Sequence, residues 1–86
     1  MGHYNVFLRF EAIEALKSIR GKQRKSVSDF IDFLQDNPNA KGDYTERDDT
    51  DREIEMKVLG QYVVTFWADH AVRELKVVDI RRADRP

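Results

Sequence analysis

Gly60-Gln61-Tyr62-Val63-Val64-Thr65-Phe66-Trp67 is the stretch on which the fold turns. A glycine supplies a tight turn, and the side chains after it are β-branched or aromatic, as in a central strand buried on both faces. Just upstream, Ile54, Met56 and Val58 alternate with Glu53, Glu55 and Lys57. That period of two predicts a half-buried strand with a charged outer face, turning at Leu59-Gly60-Gln61. Downstream, Ala68-Asp69-His70-Ala71 turns the chain again, and Leu75, Val77, Val78 and Ile80 carry a last strand over residues 72–80. Strands joined by short turns pair antiparallel, so residues 54–80 are expected to form a three-stranded meander.

Toward the N-terminus the period changes twice. Tyr4, Val6 and Leu8 alternate with Asn5, Phe7 and Arg9, giving a first strand over residues 3–9. From Phe10, the residues Ala12, Ile13, Leu16 and Ile19 fall on one helical stripe, with Glu11, Glu14, Lys17 and Arg20 toward water. Gly21 interrupts that helix. Val27, Phe30, Ile31 and Leu34 then repeat at i, i+3, i+4 and i+7, with Ser26 or Ser28 available as a cap if the start is late. Asp36-Asn37-Pro38-Asn39 ends this second helix. Residues 39–52 contain Gly42, few apolar side chains and Glu46-Arg47-Asp48-Asp49-Thr50-Asp51, and are read as a loop. The order β-α-α-β-β-β predicts an α+β fold: two N-terminal helices packed on a small, mainly antiparallel sheet, with the first strand at its edge and the other face partly open.

Eighty-six residues suffice for a single domain, residues 1–86, and are too few for two cores. Hydrophobic residues make up 41% and charged residues 36%, the composition of a folded, heavily solvated protein. There is no cysteine, which excludes thiol chemistry and suits a reducing cytoplasm. No apolar run approaches the ~18 residues of a membrane span, and no signal-like N-terminus is present, so a cytoplasmic protein without membrane association is expected. Fifteen Lys and Arg against sixteen Asp and Glu give a net charge of −1, so any nucleic-acid face must be local. The charge is uneven: residues 41–57 hold seven acidic and four basic side chains, residues 73–85 five basic and three acidic.

Several eye-catching groups have plainer readings. Arg20-Gly21-Lys22-Gln23-Arg24-Lys25 could touch RNA, yet a charge run at a helix junction is usually a solvated face, and it lacks aromatics for stacking. One of Phe66 and Trp67 must point into the core. His3 and His70 lack metal-ligand spacing, and Asp48, Asp49 and Asp51 lack the glycine and terminal glutamate of a calcium loop, so neither metal nor cofactor is expected.

Taken in order, the first strand, the helix from Phe10, the basic hinge, a helix ending in Asn37-Pro38, a strand, Gly60-x-Tyr62 and a last strand ending in Ile80-Arg81-Arg82 resemble the RelE/ParE superfamily of bacterial toxins over nearly the whole chain. Asn-Pro and Gly-x-Tyr are common by chance; the specificity lies in their order and spacing. The resemblance implies the toxin of a type II toxin-antitoxin pair, with a cognate antitoxin as partner. RelE-like members cut mRNA in the ribosomal A site without metal, and ParE-like members inhibit DNA gyrase. Cutting needs a base for the ribose 2′-hydroxyl, cations for the phosphorane and a donor for the leaving oxygen.

By the same resemblance, the arginine that the family carries after Gly-x-Tyr is here Val63, and its C-terminal tyrosine or histidine is missing. The arginine ending its last strand corresponds to Arg81 or Arg82, and its basic residues before the turn to Lys57 or Arg52. The loop glutamate that serves some members as base corresponds to Glu46, with Glu53 and Glu55 nearby. The expected constellation is Arg81 and Arg82 as phosphate cations, Lys57 assisting and Glu46, or else Glu55, as base, a partly degenerate endoribonuclease site. The alternatives are a gyrase inhibitor and an inactive member that only binds its antitoxin.

Overall fold

A computed structural model describes residues 3–84, so Arg85, counted in the basic C-terminal stretch, lies outside the described residues. The elements are β1 (Asn5–Leu8), α1 (Phe10–Ser18), α2 (Gly21–Asp36), β2 (Tyr44–Arg47), β3 (Glu53–Leu59), β4 (Tyr62–Asp69) and β5 (Glu74–Arg82). They build a five-stranded sheet in the order β1-β5-β4-β3-β2. β2 through β5 form an antiparallel meander, and β1 joins β5 in parallel. The sequence led to four strands; β2, read as part of a loop, is the fifth.

That strand escaped notice for a physical reason. All four residues of β2 are exposed, so no apolar alternation marks it, and it is held as an edge by its backbone ladder to β3. Glu55 on β3 helps to fasten it: its buried carboxylate accepts hydrogen bonds from the Gly42 amide at 2.8 Å and the Thr45 hydroxyl at 3.3 Å. Gly42 is required by this approach, since a Cβ there would lie 2.5 Å from the Met56 carbonyl oxygen.

The helices cover one face of the sheet. Val27, Ile31 and Leu34 of α2 pack with Ala12 of α1 and Ile19 of the junction onto Val64, Phe66, Leu75, Val77 and Ile80. Ile13, expected on the buried stripe, is 38% exposed, and Ala12 takes the core position where the helix runs close to the sheet. α2 begins at Gly21, with φ +61°, directly after two extended residues, Ile19 and Arg20; Ser26 and Ser28 are therefore interior to the helix. Its start is tied to the β3–β4 turn: the Gln61 amide donates to Gln23 Oε1 at 2.9 Å, and a Cβ on Gly60 would collide with that side chain.

Pairing fixes which side chains share a face, because residues directly opposite in an antiparallel ladder point the same way. Lys57, Val64 and Ile80 lie in one row toward the helices, while Val58, Val63 and Arg81 lie in the neighbouring row on the open face. A bulge between Thr65 and Phe66 inserts Val78 into β5, so Val77 faces the helices while Val78 turns to the open side.

Candidate functional site on the open sheet face

The open face carries two clefts, one toward each end of the central strands. The first, of about 450 Å³, lies between β5 and β2. Val63 and Met56 form its floor, Arg81 and Arg82 with Ala83 one wall, and Tyr44, Thr45 and Glu46 the other. β4 and β5 deliver Arg81 by direct pairing: it stands opposite Val63. The row where the resemblance leads one to look for two cations holds one cation and an apolar side chain.

Four residues expected at a site take different places. Arg81 is exposed in the first cleft and makes no ion pair among the described residues. Glu46 faces the same cleft from the opposite wall, on β2. Arg82 lines its edge but is engaged: its Nε donates to Asp84 Oδ1 at 3.2 Å, and its guanidinium lies 5.9 Å from the Tyr62 ring. The Asp84 carboxylate holds the Arg82 guanidinium more firmly charged than usual, and Arg82 in turn keeps Asp84 below the ordinary carboxylate value. Lys57 is separated from the other three, because the register turns it to the helix-covered face, where it pairs with Asp43 at 3.7 Å.

Tyr44 lines the first cleft and was missed with β2; the tyrosine-threonine pair that opens the strand was its only sequence signal. Between the clefts, Thr65 and Asp79 are cross-strand partners on the open face. Thr65 is 4% exposed, and neither its hydroxyl nor Asp79 Oδ1 has a hydrogen-bond partner among the described residues.

The second cleft, about 440 Å³, is aromatic and basic. Phe7, Lys76 and Trp67 form a row across β1, β5 and β4, and the Arg52 guanidinium sits 3.9 Å above the Trp67 ring. Of the two aromatic residues that end the deciding stretch, Phe66 is the one in the core, where it meets Phe30 edge to face at 5.5 Å. Asp48 anchors the neighbouring loop by accepting from the Thr50 hydroxyl and the Thr50 and Arg52 amides. These bonds, the Thr50 hydroxyl foremost, hold its carboxyl below the usual range.

His3 lies 3.3 Å from Asp36, and His70 Nδ1 lies 2.7 Å from the Tyr4 hydroxyl. No group of three potential metal ligands is found among the described residues. Nor is any helix among them long and apolar enough to cross a membrane.

A helix pair laid on one face of a β1-β5-β4-β3-β2 sheet, with the other face open, is the RelE fold. Two solved structures share it. The archaeal RelE–RelB complex from Pyrococcus horikoshii matches with a TM-score of 0.76 and 21% identity, over 98% of this chain and 99% of that one. The toxin-antitoxin complex RelBE2 from Mycobacterium tuberculosis matches with a TM-score of 0.75 and 16% identity, over 93% and 98%. No protein-family model and no curated protein matches the sequence.

Proposed function

We propose that this chain is the toxin of a type II toxin-antitoxin pair and that its open sheet face acts on ribosome-bound mRNA with a reduced cleavage set. Arg81, unpaired and exposed in a cleft that Glu46 faces from the other side, is the observation that carries this reading. The likeness to two toxins crystallised with their antitoxins supports an antitoxin partner.

In the proposed reaction the 2′-oxygen attacks the adjacent phosphorus, the bond to the 5′-oxygen breaks, and a 2′,3′-cyclic phosphate is left. Glu46 takes the 2′ proton, Arg81 stabilises the charge that builds on the phosphorane oxygens, and the departing 5′-oxygen takes its proton from solvent water to leave as a hydroxyl. Val63 cannot supply the second cation, so the reaction is slow for an enzyme of this design. Arg82, held by Asp84, and Lys57, on the other face, take no part.

The test is a bacterial cell-free translation reaction with the purified protein, in which mRNA 5′ ends are mapped with and without ribosomes. Cuts that require translating ribosomes are expected, and Arg81→Ala should lower their rate by about 100-fold or more. Unchanged cutting by a folded Arg81→Ala protein overturns the role of Arg81. Val63 also favours a second reading, a toxin that binds gyrase or only its antitoxin and needs no catalytic set. Intact mRNA together with arrested supercoiling by purified gyrase would select gyrase inhibition; intact mRNA with normal supercoiling would select the role limited to antitoxin binding.

A further inference from the structure

The second cleft has no part in the chemistry proposed for Arg81, yet it lies on the same face. Phe7, Lys76 and Trp67 are direct neighbours across three strands, which places them at intervals of about 4.8 Å. The Lys76 ammonium is 5.3 Å from the Phe7 ring centroid and 5.7 Å from that of Trp67. It is tethered there by Glu74 at 3.2 Å and Asp69 at 3.8 Å. Phe7 keeps 52% of its surface exposed, although it is a large apolar side chain on a strand. Two residues beyond it, Arg9 lines the cleft and makes no ion pair among the described residues.

We infer that this cleft is a holding site for an unpaired nucleotide of single-stranded RNA, with the base stacked on Phe7 beside Lys76 and Trp67 and a phosphate on Arg9. Exposed aromatic rings interleaved with cations are what sequence-tolerant single-strand binding uses, since every base offers a π-face. Two carboxylates also line the cleft, but Asp48 spends its oxygens on its own loop and on Arg52, which leaves Asp49 as the one uncommitted acid against Arg9. Stacking rather than net charge must therefore supply most of the affinity, in keeping with a chain whose net charge is −1. The volume of about 440 Å³ falls within the roughly 300–1,000 Å³ typical of small-ligand sites. The site deepens the reading of the open face as an RNA surface and rests on it: an enzyme short of one cation gains from a second hold on the strand it cuts.

Trp67 is the sole tryptophan of the chain and stands in this cleft, so it reports directly. Titration of the purified protein with an eight-nucleotide single-stranded RNA should give a saturable change in Trp67 fluorescence, with weaker binding to a duplex of equal length. Phe7→Ala should weaken binding about tenfold. Arg9→Ala, which removes a side chain without an ion pair among the described residues, should lower the salt dependence by about 0.7 in the slope of log affinity against log salt. A signal that does not move with RNA, equal binding of duplex, or affinity unchanged in Phe7→Ala overturns the inference. A signal that responds only to a protein partner does the same. The readout needs no ribosome, so the two readings fail separately. A protein that responds to RNA but leaves translated mRNA intact defeats the cleavage reading and keeps the cleft; one that cuts while Trp67 stays silent defeats the cleft alone.

Discussion

The two faces of the sheet are built from alternate residues of the same strands, yet they have opposite fates. On the helix side, Val64, Phe66, Leu75, Val77 and Ile80 are almost wholly removed from water by α1 and α2. On the other side, Val63, Ile54 and Trp67 stay half-buried around a nearly buried Met56, with Arg81, Arg9 and Lys76 set around them. The first face stores the folding free energy of a small domain. The second exposes apolar and cationic groups together, an arrangement that costs stability in isolation and suits a surface made for a partner.

The comparison breaks first, and hardest, in the core. Phe66→Ala removes the largest fully buried side chain of the sheet and should cost about 3–5 kcal/mol, a large share of the stability of a domain this size. Thermal or urea unfolding measures it; a loss under about 1 kcal/mol would mean that the faces do not divide the work as described.

Next in size is a gain on the open face. Val63→Arg would restore a cation directly opposite Arg81, and should raise ribosome-dependent cleavage by about tenfold or more while leaving stability nearly unchanged. End mapping of mRNA over a time course decides this, and a rate equal to that of the natural protein would remove Val63 as the limiting position.

Lys57→Ala sharpens the comparison from the other side. Its partner Asp43 is 45% exposed and the pair is a surface one, so less than about 1 kcal/mol of stability should be lost and cleavage should not change. A loss of cleavage as large as that of Arg81→Ala would show that Lys57 reaches the substrate despite its register.

The smallest effect is one of pH. Asp48 titrates below the ordinary carboxylate value of 3.8 because its charged form accepts hydrogen bonds from Thr50 and Arg52. A lowered value in the folded state means that the stabilisation is present above 3.8 and is lost as pH falls through the lower, folded value. Amide exchange in residues 48–52 should therefore speed up in acid relative to the core strands, and Asp48→Asn should remove most of that difference.

Much of the fold was legible in the sequence because apolar spacing reports burial. The helical spacing of Val27, Ile31 and Leu34 marks the face that meets the sheet, whereas the period of two at Ile54, Met56 and Val58 marked a strand but not its covered face: these three turn to the open side, and Glu55 and Lys57, expected to face outward, turn to the helix side. β2 had no such mark, since all four of its residues are exposed and the strand exists chiefly through backbone pairing with β3. The candidate site was legible in part for a similar reason. Arg81 and Glu46 could be named from their order along the chain, but nothing in that order told which face each would take. One residue of register separates Lys57 from Val58, and with it the helix side from the open side.

What the sequence by itself determined is the succession of elements other than β2, the turn at Gly60, the absence of thiol chemistry and the absence of a second cation after Gly-x-Tyr, all of them local properties of composition and spacing. Only the tertiary structure decided that Arg81 stands opposite Val63, that Arg82 is occupied by Asp84 and that Phe7, Lys76 and Trp67 line up across three strands. The reason is physical: β1 and β5 lie at opposite ends of the chain, and a row that crosses the sheet is set by hydrogen-bond register between strands, which no local pattern encodes.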